Sequence, residues 1–242
     1  MEWSDPAATI LVAGSFLAAF CGAAFSAGGA MIILAITTVV LPVSAVVPIH
    51  STLLIGSTST RCILFREYID WQIAGPFLVG SAIGAMLGAR IYIDLPDTLI
   101  ATAISIVMII SIWLPGITWR PKFRHPWVIV GFIHSFLSTL FAYGAALQAV
   151  ILHTKLERRQ IVGTMAGALF GMSAFKITGY KIVGFDYRPY FGVIAAGLAV
   201  SFVGTWLGRM VVDRISERFF RNAYRLLVTA TAIRLLYVNL VA

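Results

Sequence analysis

The residues of this chain that could do chemistry are basic or neutral. Its ten acids are Glu2, Asp5, Glu67, Asp70, Asp94, Asp97, Glu157, Asp186, Asp213 and Glu217, and each lies at the end of an apolar stretch or in a loop. That excludes an aspartyl protease pair, a cation site or a proton relay built on carboxylates deep in an apolar environment. His50, His125, His134 and His153 show no metal-ligand spacing. No HExxH, GxxxxGK[ST] or GxSxG is present. The expectation is therefore no enzyme, with no catalytic residue, no metal and no cofactor.

Polar and cationic groups do occur inside apolar stretches. The stretch 46–64 holds Pro48-Ile49-His50-Ser51-Thr52, then Ser57, and ends near Arg61. At ~100° per residue, His50, Ser57 and Arg61 fall within ~40° of one another on a helix. Such a polar stripe faces protein or a water-filled cavity rather than lipid. Lys176 lies 115 residues after Arg61. Both sit ~9 Å from the centres of their stretches, so they are candidates for attracting an anion along two access paths. Snorkelling to the membrane surface is the competing role for each, and Lys176 lies ~120° around its helix from Thr164. Arg234 is also deep in an apolar run, where a helix C-terminus or a lipid phosphate would pair with it as well as a substrate would.

Glycine supplies the other candidate chemistry. Gly28-Gly29 and Gly144 each precede a short apolar piece, 29–41 and 145–153. Helix N-termini starting at these glycines would present free N–H groups and partial positive charge, an anion site if the tips lie at mid-membrane. Ser26, Ser51, Thr52, Gln148 and Thr164 could add neutral hydrogen bonds. The candidate substrate-binding set is thus Gly28, Gly29, His50, Ser51, Thr52, Ser57, Arg61, Gly144, Gln148, Thr164 and Lys176.

The elements that must position these groups follow from composition. The chain has 242 residues, 60% hydrophobic and 12% charged, with mean hydropathy +0.92. Soluble domains average about 25% charged residues, so this is an all-α polytopic membrane protein. The net charge of +8 is scattered between apolar runs, which argues against nucleic acid. Cys21 and Cys62 fall in apolar runs and read as buried thiols. Residues 1–6 carry two acids and no Lys or Arg, unlike the basic start of a secretory signal.

The apolar stretches group into two halves. Residues 1–114 form a helical hairpin 7–41 and helices 46–64, 71–91 and 97–114. Residues 115–126 form a linker, and residues 127–242 form a hairpin 127–153 and helices 160–180, 189–209 and 217–240. Phe20, Phe25 and Gly28 match Phe136, Phe141 and Gly144 at 116 residues, as Asp70 matches Asp186. Gly84-x3-Gly88 matches Gly204-x3-Gly208 at 120, and Thr52 matches Thr164 at 112. If each hairpin returns to its starting side, the loops on the linker's side hold 12 Lys and Arg and those on the other side hold 3. The positive-inside rule then puts the linker in the cytoplasm and both termini outside. The second repeat is inverted relative to the first, the plan that lets a transporter open to either side.

These residues resemble the TauE/SafE family of sulfite exporter TauE-like membrane proteins over nearly the whole chain. The resemblance rests on Gly22-x5-Gly28-Gly29, the Pro42 and Pro48 turn region, Ser51-Thr52, Tyr68-Ile69-Asp70-Trp71 and Gly84-x3-Gly88. A degenerate second copy surrounds Gly144, Thr164, Asp186 and Gly204-x3-Gly208. It implies export of sulfite, sulfoacetate or a related organosulfur anion across a prokaryotic inner membrane. A passive anion channel and a non-transporting membrane scaffold are the alternatives. The expected partners are a small anionic substrate and the lipid bilayer, with a homodimer left open.

Overall fold

A computed structural model describes residues 5–24, 28–113, 125–142, 144, 146–151, 153–210 and 217–240. Ser26 and most of the linker 115–126 lie outside the described residues. The regular elements are α1 (Pro6–Ala24), α2 (Gly29–Val40), α3 (Val43–Leu64), α4 (Trp71–Tyr92), α5 (Asp97–Trp113), α6 (Pro126–Phe141), α7 (Ala146–Ile151), α8 (Arg158–Ile182), α9 (Phe191–Met210) and α10 (Glu217–Leu240). Short 3-10 turns at Arg66–Tyr68 and Arg188–Tyr190 lead into α4 and α9. No strand occurs among the described residues. Among the described residues, four helices are long and apolar enough to cross a membrane, Pro6–Ala24, Trp71–Tyr92, Arg159–Ile182 and Arg188–Met210. The chain is an all-α polytopic membrane protein.

Helix ends fall where local chemistry puts them. Asp70 caps α4 by accepting the Gln72 N–H at 2.9 Å. At α8, Glu157 and Gln160 form a reciprocal capping box. Gly28, at φ 87°, supplies the left-handed residue that starts α2. Pro126 opens α6, where its missing N–H costs nothing, and Ala142 closes it at φ 57°.

The helices form two compact units. One contains residues 1–57, 96–113 and 186–242, and the other residues 58–95 and 114–185. Each unit draws segments from both halves of the sequence. In the first unit α1 packs on α9 and α2, and α10 packs on α5 and α2. In the second, α4 packs on α6 and α8.

Glycine contacts set the direction of each pair. On α9, Gly197 faces Ser15, Gly204 faces Phe16 and Gly208 faces Phe20. Numbers rise together on both helices, so α1 and α9 run parallel. On α4, Gly80 faces Val128, Gly84 faces Phe132 and Gly88 faces Phe136, so α4 and α6 are parallel too. Missing side chains let these backbones approach closely, as membrane helices do at small-xxx-small seams. Equivalent serines sit at each seam: Ser201 Oγ lies 3.4 Å from the Ser15 carbonyl oxygen, and Ser81 Oγ donates to the Gly131 carbonyl at 3.3 Å. These contacts recur at the 116- and 120-residue offsets of the sequence matches.

Both hairpins fold back antiparallel. Gly22 lies against Gly29 and Gly14 against Ile36 in the first. In the second, the Leu147 N–H reaches back to His134. Before each tip, the first helix of the hairpin has run past the middle of its long partner. Phe20 lies beside Gly208 near the end of α9, and Thr139 beside Gly88 near the end of α4. The reason is parallel packing from near the helix starts: α6 enters opposite Phe77 and Gly80 and runs 16 residues, about 24 Å.

Candidate functional site

The strongest concentration of unusual polar groups lies in the second unit, on α6 and α8. His134 and Ser138 are four residues apart on α6 and therefore share a face. Lys176 of α8 reaches that face: Nζ donates to the Ser138 carbonyl at 2.8 Å and to Ser138 Oγ at 3.0 Å. Lys176 is 2% exposed, a position at which lysine is rare without a partner. Its partner is no carboxylate. The one ion pair among the described residues is Arg90–Asp94, on the surface.

The end of α6 explains why a cation can be held there. The last carbonyls of a helix lack intrahelical donors and carry the negative end of its dipole. The Ser138 carbonyl takes the Ala142 N–H at 3.0 Å in addition to Lys176. One turn of α8 further on, the Tyr180 hydroxyl donates to the Thr139 carbonyl. Tyr92 packs edge-on against Tyr180 with ring centroids 5.4 Å apart. The lysine and the tyrosine thus tie α8 to the hairpin tip.

His134 is fully buried, with Phe77 edge-on at 5.7 Å. The Leu147 N–H donates to its Nδ1 at 2.9 Å. Nδ1 is therefore the unprotonated nitrogen of a neutral ring, and Nε2 carries the proton. Nε2 and the neighbouring Ser135 Oγ find no partner among the described residues.

The first unit has a different character. A small cavity there is lined by Ser15, Gly29, Ile33, Leu53, Ser57 and Ser201. The serine hydroxyls donate back into their own helices, to the carbonyls of Leu11, Leu54 and Gly197. What they turn outward is lone pairs, which do not attract an anion. Ser51 and Thr52 likewise donate to Val47 and Pro48 at 2.7 and 2.9 Å. The buried His50 donates from Nε2 to the Ala30 carbonyl at 3.0 Å, tying α3 to the start of α2.

The sequence candidates therefore separate. Lys176 and Gly144 lie with His134 in the second unit, Gly144 exposed at the tip above it. Gln148 is exposed on α7. Thr164, fully buried, accepts the Asp70 N–H at 2.9 Å and so anchors the entry to α4. Burial pushes the Tyr187 phenol up, and the Thr52 hydroxyl beside it opposes that shift. Gly28, Gly29, His50, Ser51, Thr52 and Ser57 lie in the first unit, whereas Arg61, half-buried in the last turn of α3, belongs to the second.

The second tip was expected to offer a helix N-terminus to an anion over 145–153; among the described residues α7 covers Ala146–Ile151. His134 and Ser138 were missed as site residues because a histidine and a serine on an apolar stretch usually mark packing. The available signal was their i, i+4 spacing.

Comparison with curated proteins and with solved structures returned no match. A family model described as sulfite exporter TauE/SafE matches residues 11–235. The chain belongs to the sulfite exporter TauE/SafE family of membrane transport proteins.

Proposed function

We propose that this protein exports a small sulfur-containing anion, sulfite or an organosulfonate such as sulfoacetate, across a prokaryotic inner membrane by alternating access. The observation that carries this reading is Lys176, a buried lysine whose Nζ meets a carbonyl and a hydroxyl and, among the described residues, no carboxylate. A buried cation without a counter-charge suits an anionic cargo, and family membership supplies its sulfur character.

Alternating access rests on the internal duplication. The matched pairs α1 with α9 and α4 with α6 join equivalent residues of residues 1–114 and 127–242, which supports two repeats on either side of the linker 115–126. The distribution of Lys and Arg supports an inverted arrangement with both termini outside the cytoplasm. Arg61, the counterpart of Lys176, then serves the opposite access path.

The test is flux of radiolabelled sulfite and sulfoacetate from proteoliposomes holding the full chain. The expected result is saturable flux that Lys176→Gln reduces roughly 10-fold or more, the scale of one lost charge-assisted hydrogen bond. Flux without saturation would identify a channel. No flux of either anion would sink the reading.

A further inference from the structure

We infer that His134 Nε2 and Lys176 Nζ together form an oxyanion-binding site under the Gly144 tip, one that takes a sulfite or sulfonate head group through two hydrogen-bond donors. This rests on the exporter reading for the nature of the anion, but its geometry stands on separate observations.

The first is the tautomer. Leu147 donates to Nδ1, so the ring is a donor at Nε2, and that donor is buried without an acceptor among the described residues. An unmade hydrogen bond in a dry interior is costly, and a bound acceptor would recover that cost. The second is the lysine. Its ammonium has three N–H groups, and Ser138 takes two of them. His134 and Ser138 share a face of α6 one helical turn of about 5.4 Å apart, so the lysine held at Ser138 and the His134 ring lie on one side of the helix, within a span that a head group with several oxygens can bridge.

The third observation is access. Gly144 is exposed, yet a Cβ built on it would lie 3.9 Å from Nε2 and meet nothing else within 4 Å among the described residues. Gly144 thus stands next to the buried nitrogen and puts no side chain of its own over it. Gly144 is not among the glycines at positive φ, so a larger residue there would cover Nε2 without straining the chain. Charge selects the ligand: an ammonium and an N–H donor favour an oxyanion and offer nothing to a cation.

The test is isothermal titration of the full-length protein in detergent with sulfite, ethanesulfonate, phosphate and chloride, melting temperature being followed in parallel. His134→Asn is the discriminating variant. Its amide oxygen replaces Nδ1 as acceptor for Leu147, but it carries no donor at the Nε2 position. The expected result is a native melting temperature with binding weakened roughly 10- to 100-fold, the size of one hydrogen bond to a charged group. His134→Gln, which can place an N–H near Nε2, should bind more tightly than His134→Asn. Gly144→Leu should weaken binding by covering the entry.

If the wild-type protein binds sulfite and His134→Asn and Gly144→Leu bind it equally well, the site is wrong and the exporter reading stands. If the wild type binds only phosphate or chloride, and His134→Asn abolishes that, the site stands and the sulfur assignment falls. Binding of none of the four anions overturns both.

Discussion

Thr164 and Ser138 show how two buried hydroxyls of one unit differ in what they hold. Thr164 Oγ1 is the acceptor of a backbone N–H from a loop 94 residues away in sequence. Thr164→Val keeps the shape and orphans the Asp70 N–H, so it should cost about 1–3 kcal/mol of stability. A thermal melt in detergent measures that cost, and anion affinity should not change. Ser138→Ala removes one of two acceptors for Lys176 and leaves the carbonyl, so its cost should stay near 1 kcal/mol. A loss several times larger would mean that the hydroxyl, not the carbonyl, holds the lysine. Lys176 was legible in the sequence because a cation in an apolar run always asks for a reason. Thr164 and Thr52 stood out for polarity alone, and a sequence cannot show whether a buried hydroxyl faces a ligand or a backbone group. His134 was silent, since its meaning depends on which ring nitrogen Leu147 occupies.

The glycine ladders act between elements, and they make a prediction with an internal control. An added Cβ at Gly204 would lie 2.6 Å from the Phe16 carbonyl oxygen, and one at Gly84 would collide with the Phe132 carbonyl. Gly84→Ala and Gly204→Ala should therefore force the helix pairs apart and destabilise by about 1–3 kcal/mol. Gly75, on the same helix as Gly84, has nothing within 4 Å of such a Cβ. Gly75→Ala should cost nothing and could gain up to about 1 kcal/mol of helix propensity. Melting curves of the three variants decide it, and equal losses would defeat the packing argument. Helical elements could be read from apolar runs in the sequence: the stretch 29–41 holds α2, Gly29–Val40. The partners of each element could not. Small-xxx-small spacing announces a seam without naming its other side, and here each glycine ladder meets a phenylalanine-bearing helix of the opposite half.

At the scale of the whole molecule, the unbalanced placement of Lys and Arg predicts orientation. A C-terminal alkaline phosphatase fusion should be active and a C-terminal green fluorescent protein fusion dark. The reverse result would turn the chain over and reassign the access paths. The pairing of α1 with α9 also bears on how the protein is made. The end of α1 and the start of α9 are 167 residues apart, from Ala24 to Phe191. At about 5–20 residues per second, α1 waits roughly 8–33 s in the bilayer before its partner is synthesised. The second unit needs nothing beyond Phe185 and is free to assemble first. During the wait α1 has α2 beside it but not α9, and its buried-to-be serine is suited to that: Ser15 Oγ donates to Leu11 on its own helix and needs no neighbour. The unit drawn from the middle of the chain can thus be complete before α1 and α9 meet.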